Sequence, residues 1–120
     1  MNSFSFGDSP ELADELLALV LEGKKTATAW AAVQGIKDTE VGKRELVKDG
    51  AGNPRVIIDT TELLLMPFAD VDASIAYDEG EGDRSLEYWR QAHTSYFTRE
   101  GTYAPDMQVY CQRFRVVEVL

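Results

Sequence analysis

Ser9-Pro10-Glu11-Leu12-Ala13-Asp14-Glu15-Leu16-Leu17-Ala18-Leu19-Val20-Leu21-Glu22-Gly23-Lys24-Lys25-Thr26-Ala27-Thr28-Ala29-Trp30-Ala31-Ala32 contains a helix, its stop signal and a strand in one continuous run. Ser9 supplies an N-cap hydroxyl, Pro10 occupies the first helical position and Glu11 places a charge at the positive end of the dipole. Leu12, Leu16, Leu19 and Val20 recur at i, i+4, i+7 and i+8, which defines one apolar face. Gly23 stops the helix, and Lys24 and Lys25 follow at its negative end. Thr26 to Ala32 then reads as a strand, rich in threonine and carrying an aromatic.

Downstream, Arg44 to Lys48 and Pro54 to Leu65 read as two strands joined by the turn Asp49-Gly50-Ala51-Gly52-Asn53. The second of these is long and is expected to bend or bulge near Thr60-Thr61. Val71 to Tyr77 has the pattern of one or two helical turns, followed by a glycine-interrupted acidic loop over 78–83. A further helix is expected from Ser85 to about Arg99, with Leu86, Trp89, His93 and Phe97 on its inner stripe. Met107 to Val119 is strand-like. Helices and strands are interspersed without regular βαβ alternation. This predicts an α+β fold whose mostly antiparallel sheet can curl into a small barrel with flanking helices.

The chain has 120 residues, with hydrophobic and charged fractions of 44% and 28%, so one domain over 1–120 is expected. Its formal net charge of -9 opposes broad binding to duplex nucleic acid or to anionic membranes. No apolar run reaches a membrane span, and the first residues lack the basic stretch of a signal peptide. A cytoplasmic location is the resulting expectation. One cysteine, Cys111, and one histidine, His93, leave no Cys- or His-based metal site. Cys111, in an apolar strand, reads as a small buried hydrophobe.

Two segments carry chemistry. In Gly23-Lys24-Lys25-Thr26-Ala27-Thr28, two amines and two hydroxyls follow a helix directly. Thr26 and Thr28 share a face of a regular strand, with Lys25 on the other face unless it belongs to the turn. A lysine beside a hydroxyl can serve as its base once burial or a neighbouring cation such as Lys24 favours the neutral amine. The alternative is that both lysines only serve the helix end. In the acidic loop, Glu79 and Glu81 are carboxylates suited to acid–base work or to orienting a lysine, or else solvated loop charges. His93 shares the stripe of Trp89 and Phe97 and should face inward. Trp30, Trp89, Tyr96 and Tyr103 offer faces for a stacked base.

The runs Phe6-Gly7-Asp8-Ser9-Pro10-Glu11-Leu12-Ala13, Gly23-Lys24-Lys25-Thr26-Ala27-Thr28, Glu79-Gly80-Glu81-Gly82-Asp83-Arg84-Ser85-Leu86-Glu87-Tyr88-Trp89, Pro105-Asp106-Met107 and Cys111-Gln112-Arg113-Phe114 together resemble the ASCH domain family. The resemblance implies a PUA-like β-barrel and an association with RNA or modified nucleosides. It points first to the small bacterial N4-acetylcytidine amidohydrolases, hydrolases that remove an acyl group from a cytidine amine. Carried over, their catalytic group is Lys25, Thr28 and Glu79, with Glu81 as the substitute acid. Thr28 is then the nucleophile and Lys25 its base, or water attacks with Glu79 as base and Lys25 on the oxyanion. Substrate contacts are expected from Lys24, Thr26, Trp30, Glu81, His93 and Tyr103, with no cofactor and no metal.

The alternative within the resemblance is an RNA-binding module or ribonuclease, using a local patch of Lys24, Lys25, Arg55, Arg113 and Arg115. A small-metabolite sensor without turnover is a third reading. The acids Asp70, Asp72, Asp78, Glu79, Glu81, Asp83 and Glu87, with only Arg84 and Arg90 among them, suggest an acidic rim that favours a neutral nucleoside over RNA. The protein is expected to act as a monomer or homodimer.

Overall fold

The computed structural model describes residues 1–120. Strand β1 (Asn2–Phe4) leads into helix α1 (Pro10–Leu21) and strand β2 (Ala27–Ala31). Strands β3 (Arg44–Lys48) and β4 (Pro54–Pro67) form the central hairpin. Helices α2 (Ala73–Glu79) and α3 (Leu86–Glu100) precede the last strand, β5 (Gln108–Val119). The sheet order is β1-β3-β4-β5-β2. All pairs are antiparallel except β1 with β3. The architecture is the expected α+β one, a curled and partly open barrel with three helices around it.

The sequence signals act where they were read. Ser9 accepts from the Leu12 amide at 3.1 Å and caps α1, and Ser85 accepts from the Tyr88 amide at 3.0 Å and caps α3. The β4–β5 register shifts between Thr60 and Glu62, at the expected bulge, and again between Ile57 and Ile58. These shifts let two long strands bend around the core instead of lying flat. Three boundaries differ. The Thr26–Ala32 strand is confined to β2, because Thr26 is bonded to α2 and Ala32 opens a single 3-10 turn. Strand β1 was not expected; its three residues carry no alternation, and its partner β3 is remote in sequence. Helix α2 runs through Glu79, so that residue ends a helix rather than lying in the acidic loop.

Two cores flank the sheet. Under α1, Leu16, Leu17 and Val20 meet Val47, Val56, Ile58 and Phe114. Under α2 and α3, Ile75, Trp89 and Phe97 meet Phe68, Val109 and Cys111. Val109 and Cys111 alternate with Gln112 and Phe114 along β5, so this strand feeds both cores. Cys111 is buried, and burial, reinforced by the Glu79 charge, pushes its thiol up to about 12, leaving it an inert core residue. No helix is long and apolar enough to cross a membrane.

Candidate functional site

The end of α1 aims Lys25 inward. Gly23 adopts φ +79°, and the amides of Lys24 and Lys25 both donate to the Leu19 carbonyl, at 3.0 and 3.1 Å. Lys25 therefore belongs to the turn, not to the strand. The Thr26 amide then donates to the Asp78 carbonyl at 2.6 Å, which fastens this turn to the C-terminus of α2. Gly80 completes the contact. It has φ +75°, and a Cβ there would lie 2.4 Å from the Lys24 carbonyl oxygen, so only glycine permits the approach. Arg84 sews the same edges together, donating from Nε to the Tyr77 carbonyl at 3.0 Å and from Nη2 to the Lys24 carbonyl at 3.2 Å.

Lys25 is 1% exposed. Its Nζ donates to the Glu79 carbonyl at 3.4 Å and to Glu81 Oε2 at 3.3 Å, lies 3.5 Å from Glu79 Oε1, and stands 5.3 Å from the Phe6 ring centre. Three donors thus face three acceptors. Glu79 is equally buried, and its other oxygen, Oε2, accepts from Trp89 Nε1 and lies 3.2 Å from His93 Nε2. The His93 ring stacks on Trp89 with centres 4.1 Å apart, and its Nδ1 lies 2.9 Å from the Trp89 carbonyl. The i, i+4 spacing of Trp89 and His93 on α3 produces this stack, and it delivers two nitrogens to one carboxylate oxygen.

The electrostatics follow from these contacts. Burial opposes the Glu79 charge, but His93 and Lys25 outweigh it, with hydrogen bonds from His93 and Trp89, and the carboxyl is held down to about 2. Burial pulls the His93 pKa down, and the Glu79 carboxylate more than reverses this, so the net shift is upward. Geometry agrees. Both ring nitrogens face acceptors, a carbonyl and a carboxylate, which suits the doubly protonated imidazolium. The chain Lys25–Glu79–His93–Trp89 is thus a buried ionic array. Burying such charges costs several kcal/mol per ion before pairing, so an apolar core would fold at least as well.

A cavity of about 270 Å³ opens beside this array. Lys25, Thr28, Glu79, Glu81 and His93 all line it, so the structure brings together residues from three separate segments. Thr28, on β2, donates no hydrogen bond to the protein. The side chain of Glu81 is 21% exposed and only its Oε2 is engaged, whereas both oxygens of Glu79 are occupied. Tyr88, Tyr96 and Arg99 of α3 and Phe6 complete the wall; the readings from sequence did not assign Phe6, Tyr88 or Arg99 to the site.

The other candidates stand apart. Lys24 points outward and pairs with Glu22 at 3.3 Å. Thr26 donates to the Asp78 carbonyl at 3.4 Å and does not line the cavity. Trp30 is buried against Tyr110, donates to the Gly35 carbonyl at 2.8 Å and borders a second cavity. Tyr103 packs edge-on against Phe68, outside both cavities.

Two charge expectations are also revised. The run of acids forms no rim: Asp72 caps α2, Asp83 accepts from the Ser85 amide, and Asp78 pairs with Arg113. Only Glu79 and Glu81 reach the cavity, beside Lys25, His93 and Arg99. The basic patch is dispersed as well. Arg55 pairs with Asp49, Arg113 with Glu62 and Asp78, Arg115 with Asp59, and Lys25 is buried. Glu79, Glu81 and His93 place potential metal-ligating atoms within 4.8 Å of one another. The Lys25 ammonium already holds both carboxylates, so the donor set suits an amine better than a divalent cation.

The chain is 32% identical to protein EF3133 from Enterococcus faecalis, covering 99% of this chain and 77% of that one at a TM-score of 0.88. It is 30% identical to an ASCH domain from Lactobacillus crispatus, covering 97% and 79% of the two chains at a TM-score of 0.87. ZmASCH from Zymomonas mobilis, 16% identical over 99% of this chain and 72% of that one, shares the fold at a TM-score of 0.54. None of the curated proteins matches the sequence. The model of the ASCH domain matches residues 2–118, nearly the whole chain, and the protein therefore belongs to the ASCH domain family.

Proposed function

We propose that the protein is an amidohydrolase that removes the acyl group from N4-acylated cytidine or a related cytosine nucleoside. The supporting observation is the buried array at the cavity wall. Lys25 and Glu79 are each 1% exposed, a cost the fold does not require, and Lys25 lines the same cavity as Thr28.

The roles divide by environment. Glu79, held near 2 with both oxygens bonded, is a weak base and carries no proton at neutral pH. It orients Lys25 and His93, as the buried carboxylate of a triad orients its partner. Glu81, with one oxygen unengaged, is the proton carrier. The Thr28 Oγ attacks the acyl carbonyl, and its proton passes to Glu81. The Lys25 ammonium stabilises the oxyanion that forms. The C–N bond then breaks, Glu81 returns the proton to the departing cytosine amine, and the acyl group remains as an ester of Thr28. Water, deprotonated by Glu81, attacks that ester; the bond to the Thr28 oxygen breaks, Glu81 passes the proton to that oxygen, and the carboxylic acid is released. Lys25 thus acts as a cation rather than as the base of Thr28, because all three of its donors face acceptors.

The test is parallel incubation of the protein with N4-acetylcytidine and with RNA, followed by product analysis. Release of cytidine and acetate, abolished in Thr28→Ala and retained in part in Thr28→Ser, is expected. RNA cleavage without deacylation would overturn the reading. The dispersal of Arg55, Arg113 and Arg115 into ion pairs is the observation that favours a nucleoside over an RNA chain.

A further inference from the structure

A second cavity of about 160 Å³ abuts the first and shares Phe6, Gly7, Thr28, Ala29 and Tyr96 with it. The side chain opposite Thr28 across the β2–β5 pair is Gln112, which lines only this second space. Thr28 is therefore one of the residues on the boundary between the two cavities.

The lining of the second cavity is rich in acceptors that lack donors. Glu45 is 3% exposed, and no Lys, Arg or His nitrogen pairs with it. Its Oε1 accepts from Thr39 Oγ1 at 2.8 Å and from Gln112 Nε2 at 3.0 Å, while its Oε2 accepts from no protein group. Gln112, 2% exposed, spends its amide nitrogen on Glu45 and on Thr60 Oγ1 at 2.8 Å, which leaves its Oε1 without a donor. Glu100 Oε1 is enclosed and unpartnered, although Glu100 Oε2 accepts from Gln34 Nε2 at 3.2 Å. Of these three oxygens only Glu100 Oε1 is sealed from solvent, where the lack of a partner costs about 1–3 kcal/mol; the free oxygens of Glu45 and Gln112 stay open to the cavity they line.

The charge of the pocket narrows what would supply the donors. Two carboxylates exclude an anion. Lys37, though exposed, lines the same space, with its Nζ 5.6 Å from the Trp30 ring centre, so a cationic ligand would sit beside another cation. A neutral group that both donates and accepts satisfies all the partners, and hydroxyls do both.

We infer that this cavity is the subsite for a vicinal diol, the sugar of a nucleoside whose acylated base occupies the first cavity. One hydroxyl donates to Glu45 Oε2 and its neighbour to Gln112 Oε1, and a sugar oxygen accepts from Lys37. This assignment rests on the nucleoside reading above, and it makes Glu45 and Gln112 the residues that select ribonucleosides.

The experiment compares cytidine with 2′,3′-dideoxycytidine, two ligands that carry no acyl group, by titration calorimetry on the wild-type protein and on Glu45→Gln. Cytidine is expected to bind at least about tenfold more tightly to the wild type, the usual worth of a charged hydrogen bond. That ratio is expected to fall severalfold in Glu45→Gln, where only the Gln112 contact to the diol keeps its full strength. Equal affinities in the wild type would overturn the subsite whether or not the variant folds, and so would an undiminished preference in the folded variant. Deacylation assays separate the two proposals. Turnover of N4-acetylcytosine with no preference for the diol leaves the amidohydrolase standing and removes the subsite. A diol preference in binding without any deacylation does the reverse.

Discussion

Replacing Glu79 with glutamine removes one charge from the centre of the buried array and leaves its shape in place. The carboxyl titrates near 2 in the folded chain against 4.5 ordinarily. Each unit is worth about 1.4 kcal/mol, so the shift corresponds to ~3 kcal/mol of stability at neutral pH. Because the folded value is the lower one, that stability is fully present above about 4.5 and is lost as pH falls through about 2. The upward shift of His93 arises from the same pair and is not added to it. Glu79→Gln should therefore unfold at lower urea concentration at pH 7, with a deficit of ~3 kcal/mol, or a melting point lower by roughly 10 °C. The difference between the two proteins should shrink steadily below pH 4.5 and nearly vanish by pH 2. Urea unfolding followed by tryptophan fluorescence across that range reads it directly. An unchanged midpoint at pH 7, or a deficit as large at pH 2.5 as at pH 7, would refute the account of the array.

The neighbouring positions should respond differently. Glu81→Gln, at a carboxylate in contact with solvent, is expected to cost under about 1 kcal/mol of stability while lowering the kcat of deacylation about a hundredfold; retained kcat would return the proton-carrying role to Glu79. Lys25→Ala is expected to reduce kcat by roughly a hundredfold or more through loss of oxyanion stabilisation, and full activity in this variant would sink the mechanism with either nucleophile. Gly80→Ala places a methyl on the Lys24 carbonyl at positive φ, so a loss of about 2 kcal/mol or more is expected on thermal unfolding; wild-type stability would show that the α1–β2 turn and α2 do not need their close approach.

Local signals carried most of the fold into the sequence. Capping serines, glycine stops and alternation are short-range features, so α1, α3, the β3–β4 hairpin and the β4 bulge could be read from the residues. Strand β1 could not, because its only support is pairing with a strand some forty positions away. The site divides in the same way. Lys25 and Thr28 lie in one motif, and the inward His93 was legible from the stripe it shares with Trp89. The burial of Glu79 was hidden, because its surroundings look like a solvated loop until α2 extends through it and Trp89 and His93 arrive from another helix. Lys24 and Thr26 were grouped with Lys25 by proximity, yet a turn sends consecutive side chains in different directions. Gln112 sits in a run that marks the family, but nothing in the sequence pointed to it or to Glu45 as cavity residues, since both lie within otherwise ordinary strand patterns; only the curl of the sheet makes them neighbours.

The backbone contact among Lys24, Thr26, Asp78 and Gly80 has a consequence for how this chain can diverge. Thr26 and Asp78, 52 positions apart, are joined directly, main chain to main chain, without passing through the sheet. The polar connection over 35–43 takes no part in that joint, although Lys37 and Thr39 border the second cavity and Lys37 and Asp38 hold left-handed backbone angles. Changes of length in this connection would remodel the second cavity and leave Lys25, Glu79 and Glu81 in register. The second cavity and the Lys25 array are thus separable, each answerable to a different stretch of the chain.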